Sequence, residues 1–240
     1  MLDWESLTLQ ELEEMADAGQ YVLNCYRVLA KSNDNIVGEV IKDQGTFYEM
    51  DHYPPGDVYD PETHSQYYYH AHREGEHGHF HTFVRSEGMT PEIKAIKDQS
   101  HQDYMDERDD NISHLIAISM DNKGFPISLF TTNRWVTAEN WYTAEDVITL
   151  LDQFEMDLAP PSWPVNIWLT ALIRLYKPVI ADLLRDRDKK IEEWKAAHPD
   201  KDVFEDRDLE VTSEIEISVE DYLKKIETRL AREMGEKVAI

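Results

Sequence analysis

The first strong periodicity along the chain is helical. Leu9, Leu12, Met15, Ala16, Val22, Tyr26 and Leu29 recur at intervals that place apolar side chains on one face of an α-helix. Thr8 and Glu11 stand three apart at its start, as in a capping box, so the pattern predicts a long amphipathic helix over 9–32 and a short one around 35–41. Between Gly45 and Glu62 the periodicity fails, and Pro54-Pro55-Gly56 and Asp60-Pro61 punctuate a loop. From Tyr67 to Ser86 the period changes to two. Tyr, His, Phe and Val alternate about Glu74-Gly75, which predicts a β-hairpin closed by a two-residue turn.

Residues 90–111 are polar and charged, a solvated helix or excursion. His114 to Met120 and Pro126 to Thr132, separated by the turn Asp121-Asn122-Lys123-Gly124, extend the hairpin into a sheet. After Thr143 the pattern is mainly helical. One helix is capped by Thr143 and Asp146 and runs to Phe154; Ser162 and Pro164 open a longer one that Pro178 is expected to kink or divide. A last strand near Leu209 to Ile217 and a helix from Ser218 to about Met234 complete the chain. This order gives an α+β fold in a single domain over 1–240. A small antiparallel sheet built on a His-rich hairpin, at 64–132, is flanked by N-terminal helices at 9–41 and a mainly helical part at 143–240.

Charge narrows the function classes. The 240 residues carry 49 acidic and 24 basic side chains, a net charge of −25, which phosphate backbones and anionic lipid would repel. Nucleic acid and membrane are therefore excluded as expected partners, and a small-molecule substrate is favoured. A single cysteine, Cys25, permits no internal disulfide, and the N-terminus has neither the basic nor the apolar region of a secretory signal. The expectation is a cytoplasmic protein; the oligomeric state is left open.

The histidines concentrate the chemistry. Seven of the ten fall between His52 and His81, and five occupy the twelve residues from His70 to His81. With Glu74-Gly75 as the turn, His72 faces His77, His70 faces His79 and Tyr68 faces His81, all on one face of the hairpin. Opposed Cβ atoms lie ~5 Å apart, and alternate residues ~6.7 Å apart. Imidazoles from His70, His72, His77 and His79 can therefore converge on one transition-metal ion, with His81 close by. Tyr67 with Thr82, Tyr69 with Phe80 and the pair Arg73–Glu76 fall on the opposite, packing face. A metal-free histidine ladder, or a patch of protonated histidines gripping an anion, is the competing reading; stacked imidazolium ions would repel below pH ~6.5, whereas a metal requires them neutral.

Other residues are weaker candidates. His70-Ala71-His72 followed by Glu76 superficially matches the cupin arrangement, but its flanking glycines are missing and the hairpin turns Glu76 away. His101-Gln102-Asp103 has the spacing of two-His-one-carboxylate iron sites, in a charged segment where plain solvent exposure is the simpler reading. His114 starts a strand beside the hairpin and could be an extra ligand or base. Arg134 could hold an anionic substrate or form a structural ion pair, and Tyr68 could be a ligand, a proton donor or a packing residue. No phosphate-binding glycine loop, nucleophile elbow or paired-cysteine zinc motif is present.

At Gln66-Tyr67-Tyr68-Tyr69-His70-Ala71-His72-Arg73 and Glu76-His77-Gly78-His79-Phe80-His81 the chain resembles an uncharacterised bacterial domain family. The resemblance runs from about Gly56 to the helix containing Pro178, without the acidic stretch between Thr90 and Asn111. It implies a shared domain and supplies no activity. The functional expectation rests on the residues: a metal-dependent enzyme whose hairpin binds iron, zinc or copper, with catalytic groups sought among Tyr68, His114 and Arg134. Redox chemistry is preferred over hydrolysis because Tyr68 and its aromatic surroundings suit a dry pocket. The alternatives are a metal sensor, store or carrier without catalysis, and a metal-free anion-binding module.

Overall fold

The structure, a computed structural model, describes residues 2–96 and 111–238. Helix α1, Leu9–Ala30, begins as its sequence demands: the Glu11 N–H donates to the Thr8 hydroxyl and the Thr8 N–H donates to the Glu11 carboxylate. Helix α2, Ile36–Ile41, is capped by the Asn35 side chain. The expectation at His101 and Asp103 lies outside the described residues.

Among the described residues, six strands follow one another across a single antiparallel sheet, in chain order. They are β1 (Tyr53–Tyr59), β2 (Ser65–His70), β3 (Gly78–Arg85), β4 (Ile112–Met120), β5 (Pro126–Thr132) and β6 (Val211–Glu216). Strand β1 corrects the loop expected over Gly45 to Glu62. Its two prolines hide it from period-two reading, and it pairs irregularly with β2, with a register shift between Tyr53 and Val58.

Short helices α3 (Arg134–Thr137) and α4 (Ala144–Leu150) lead to α5, Trp163–Ala197, and the chain closes with α6, Val219–Val238. Pro178 lies inside α5 without dividing it. An interior proline removes one helical hydrogen bond, but buried residues hold both halves: Ile173, Leu175 and Tyr176 before it, Ile180, Leu183 and Leu184 after it.

The sheet has two different faces. One packs on the helices: Tyr67 donates to Asn166 of α5 at 2.7 Å, and the rings of Phe80 and Trp168 lie 5.7 Å apart. The other carries Tyr68, His70, His79, His81 and Phe83. No described helix is long and apolar enough to cross a membrane.

Candidate metal centre

Alternation sets the register of the hairpin. Tyr67 pairs with Thr82, Tyr68 with His81, Tyr69 with Phe80 and His70 with His79, as the sequence predicts. There the ladder stops, and residues 71–77 form a loop in place of the two-residue turn. The reason lies on the next strand: the His77 N–H donates to the Met120 carbonyl at 2.9 Å, so this part of the chain is held by β4 rather than β2. Gly78 is needed at the exit, because a Cβ there would stand 2.4 Å from the Tyr69 hydroxyl oxygen and 2.6 Å from the His70 carbonyl. That hydroxyl shares a 2.8 Å hydrogen bond with Nδ1 of His77. His77 is thus drawn to Tyr69, a residue of the helix-facing set, and is not brought together with His70, His72 and His79.

Those three do converge. One ring nitrogen from each lies within 4.8 Å of the other two, and Nε2 of His70 stands 2.7 Å from Nε2 of His79. Nitrogens on a common tetrahedral ion at ~2.0–2.1 Å would be roughly 3.3 Å apart, so the His70–His79 pair needs to open by only about half an ångström. His70 and His79 are buried, 7% and 1% exposed, while His72 is open to solvent.

Glu76 completes the arrangement, and its position corrects the expectation that it faces away. Its carboxylate accepts a hydrogen bond from Nδ1 of His79 and also meets the Arg73 guanidinium, which lies over the Phe130 ring on the histidine side of the sheet. With Nδ1 committed to Glu76, Nε2 of His79 is the nitrogen presented to His70, the carboxylate–histidine arrangement typical of metal ligands. Burial pushes Glu76 up, but the hydrogen bond from His79 and the neighbouring Arg73 guanidinium hold its carboxyl below the usual range. Burial lowers His79 more than Glu76 raises it, and burial together with the neighbouring histidines lowers His70 to about 2. The buried imidazoles are therefore neutral at pH 7, the form that coordinates metal.

The row of histidines continues inward. His81 is fully buried, and its Nδ1 lies 3.0 Å from Nε2 of His114. His114 reaches this face through a β-bulge: Ile116 opposes Thr82 but His114 opposes Phe83, so Leu115 is the extra residue that returns His114 to the side of His81. Beneath it lies Glu139, which sequence reasoning missed and which no local motif marks. Its carboxylate accepts the His114 backbone N–H at 2.7 Å, and burial raises it to about 7 against the pull of Arg187.

Tyr68 is 6% exposed and forms a wall of the site. It stacks on His52 with ring centres 3.6 Å apart and lies 5.1 Å from both His70 and His81. His52 in turn shares a 2.8 Å contact with Asp57, which accepts from Gln66. Arg134 is different. It is 2% exposed, and its guanidinium donates to Glu205 and lies over Phe204, away from the histidine cluster's own contacts. A groove of about 930 Å³ runs along α1 and α5 past Tyr21 and Trp163, and no histidine among the described residues lines it.

The fold and this face define an α+β protein with a histidine cluster able to hold a metal ion. Residues 16–217 match the family described as Domain of unknown function (DUF6969), and the chain belongs to it. The match is wider than the resemblance read from the hairpin and runs across the acidic stretch. No curated protein and no solved structure matches the chain.

Proposed function

We propose that this protein holds a transition-metal ion on His70, His72 and His79 and uses it to act on a small molecule. The observation that carries the reading is the convergence of three imidazole nitrogens within 4.8 Å, two of them on rings that burial keeps neutral. Three protein ligands leave coordination positions for water or substrate, and an imidazole-only set suits iron, zinc or copper. A cavity of about 530 Å³, bordered by Thr46, Tyr48, Asp51 and His52, offers a way in, since the His52 ring stands 5.6 Å from that of His70. The net charge of −25 favours a neutral or cationic substrate and disfavours nucleic acid and anionic membranes. The apolar wall of Tyr68, Phe83 and Phe130 supports redox chemistry over hydrolysis.

A second reading, a metal carrier or store, draws on the exposure of His72, because a ligand open to solvent exchanges readily. The first experiment is metal analysis of tag-free protein purified without added metal, beside His72→Ala and the double variant His70→Ala/His79→Ala. About one equivalent of a single metal in the wild type, reduced in the first variant and lost in the second, supports the centre. Retention of that metal through gel filtration favours the enzyme, and rapid loss to a chelator favours the carrier. A wild type that is empty and takes up no Fe(II), Zn(II) or Cu(II) on titration overturns both readings.

A further inference from the structure

His70, His72 and His79 leave one neighbouring imidazole unaccounted for. In the hairpin register His72 stands beyond the His70–His79 pair towards the tip, and His81 lies behind it along β3, opposite Tyr68. An imidazole bound at ~2.0–2.1 Å keeps its ring centre roughly 3.2 Å from the ion, so two such rings at right or tetrahedral angles have centres about 4.5–5.2 Å apart. The His70–His79, His70–His72 and His72–His79 centres are separated by 4.4, 4.8 and 5.1 Å. His81 lies 4.8 Å from His79 and 5.2 Å from His70. By ring-centre spacing it lies about as near the central pair as His72 does, although the three residues whose ring nitrogens all come within 4.8 Å of one another are His70, His72 and His79.

An independent observation comes from its nitrogens. Nε2 of His81 is buried and has no hydrogen-bond partner among the described residues, a costly state for a polar atom that a ligand would relieve. Nδ1 is held by His114 at 3.0 Å. In the tautomer that donates from Nδ1 to His114, Nε2 carries the free lone pair, as Glu76 arranges for His79. The bulge at Leu115 that turns His114 to this face thus serves to orient His81.

We propose that His81 is a fourth imidazole ligand of the same ion, with His70, His79 and His81 forming the buried part of the coordination shell and His72 its exchangeable outer member. The proposal rests on the metal reading above. With His72 and His81 on opposite sides of the pair, four imidazoles suit a five- or six-coordinate ion that keeps open positions, such as iron, copper or nickel.

The test is X-ray absorption on tag-free, chelator-stripped protein reloaded with one equivalent of Co(II), an ion that tolerates four to six ligands. Counting imidazoles per cobalt should give four in the wild type, three in His81→Gln and three in the exposed-site variant His72→Ala, with Co(II) affinity falling at least ~10-fold in His81→Gln. Should His81→Gln fail to fold, the wild type and His72→Ala decide: four and three support the proposal, three and two overturn it. An unchanged count in a folded His81→Gln also overturns it. A wild type that binds neither Co(II) nor Fe(II), Zn(II) or Cu(II) removes this proposal together with the metal centre, whereas three imidazoles remove this proposal alone.

Discussion

The Glu76 carboxylate accepts from Nδ1 of His79, and that contact decides which nitrogen of the ring faces His70. Removing it by Glu76→Ala should weaken metal binding ~10–100-fold, the usual cost of losing a partner that orients a ligand. Glu76→Gln keeps an acceptor without the charge and should lose less. Competition titration against a chromophoric chelator gives both numbers; equal affinities in all three proteins would show that Glu76 has no part in orienting the ligand.

His70 and His72 should respond differently to truncation. His72 is exposed, so His72→Ala should weaken metal binding while changing stability by no more than ~0.5 kcal/mol. His70→Ala removes a buried ring and strands Nε2 of His79, costing roughly 1–3 kcal/mol in the metal-free protein as well. Urea unfolding of the stripped proteins separates the two effects; an equal loss in both variants would contradict the burial difference.

Acid should destabilise the metal-free protein. Burial is the first cause that lowers His70 to about 2 and His114 to about 3, and it also lowers His81 well below its ordinary value. Unfolded histidines titrate near ~6.5. Below that pH the unfolded chain takes up protons that the folded one refuses, so stability present above pH 6.5 is lost as pH falls. Glu139, raised to about 7 by burial, acts in the opposite sense: its contribution is present below the ordinary carboxyl value of 4.5 and lost as pH rises through 7. Three imidazoles outweigh one carboxyl, so the urea midpoint should be lower at pH 5 than at pH 7.5, and the drop should be larger in Glu139→Gln. A flat profile would refute the argument.

Tyr67→Phe tests the separation of the two faces. The Tyr67 hydroxyl donates to Asn166 on the helix side, so its loss leaves a buried acceptor unmet at a cost of ~1–3 kcal/mol. Metal affinity should stay within about twofold, because the histidines occupy the other face. A large fall in affinity would mean that the helix packing sets the geometry of the centre.

How much of this was legible depended on whether the deciding interaction was local. The capping box at Thr8 and Glu11 and the alternation from Tyr67 to Phe80 are local, and both the helix start and the hairpin register follow from them. The hairpin tip is not local: its end is set by the His77 N–H reaching Met120, about forty residues on, and so the place of His77 does not follow from the alternation. A two-residue turn puts Glu76 on the packing face, although the spacing His70, His72, Glu76 carries the signal. His114 needed a bulge, since strict alternation back from Met120 would have turned it towards the helices. Glu139 joins the site only through tertiary folding, and the helix runs through Pro178 undivided because residues on both sides of it are buried.

The two outer strands have a consequence for how the molecule lives among its own copies. Strand β1 lies at one rim and contains Pro54 and Pro55, which offer no N–H to a newcomer, and its pairing is already irregular. Strand β6 lies at the other rim, with exposed Glu214 and Glu216 whose charges would confront an added strand. Both rims are thus guarded against edge-to-edge aggregation. A face dense in tyrosine, phenylalanine and histidine can then be carried at high concentration without seeding a continuous sheet between chains.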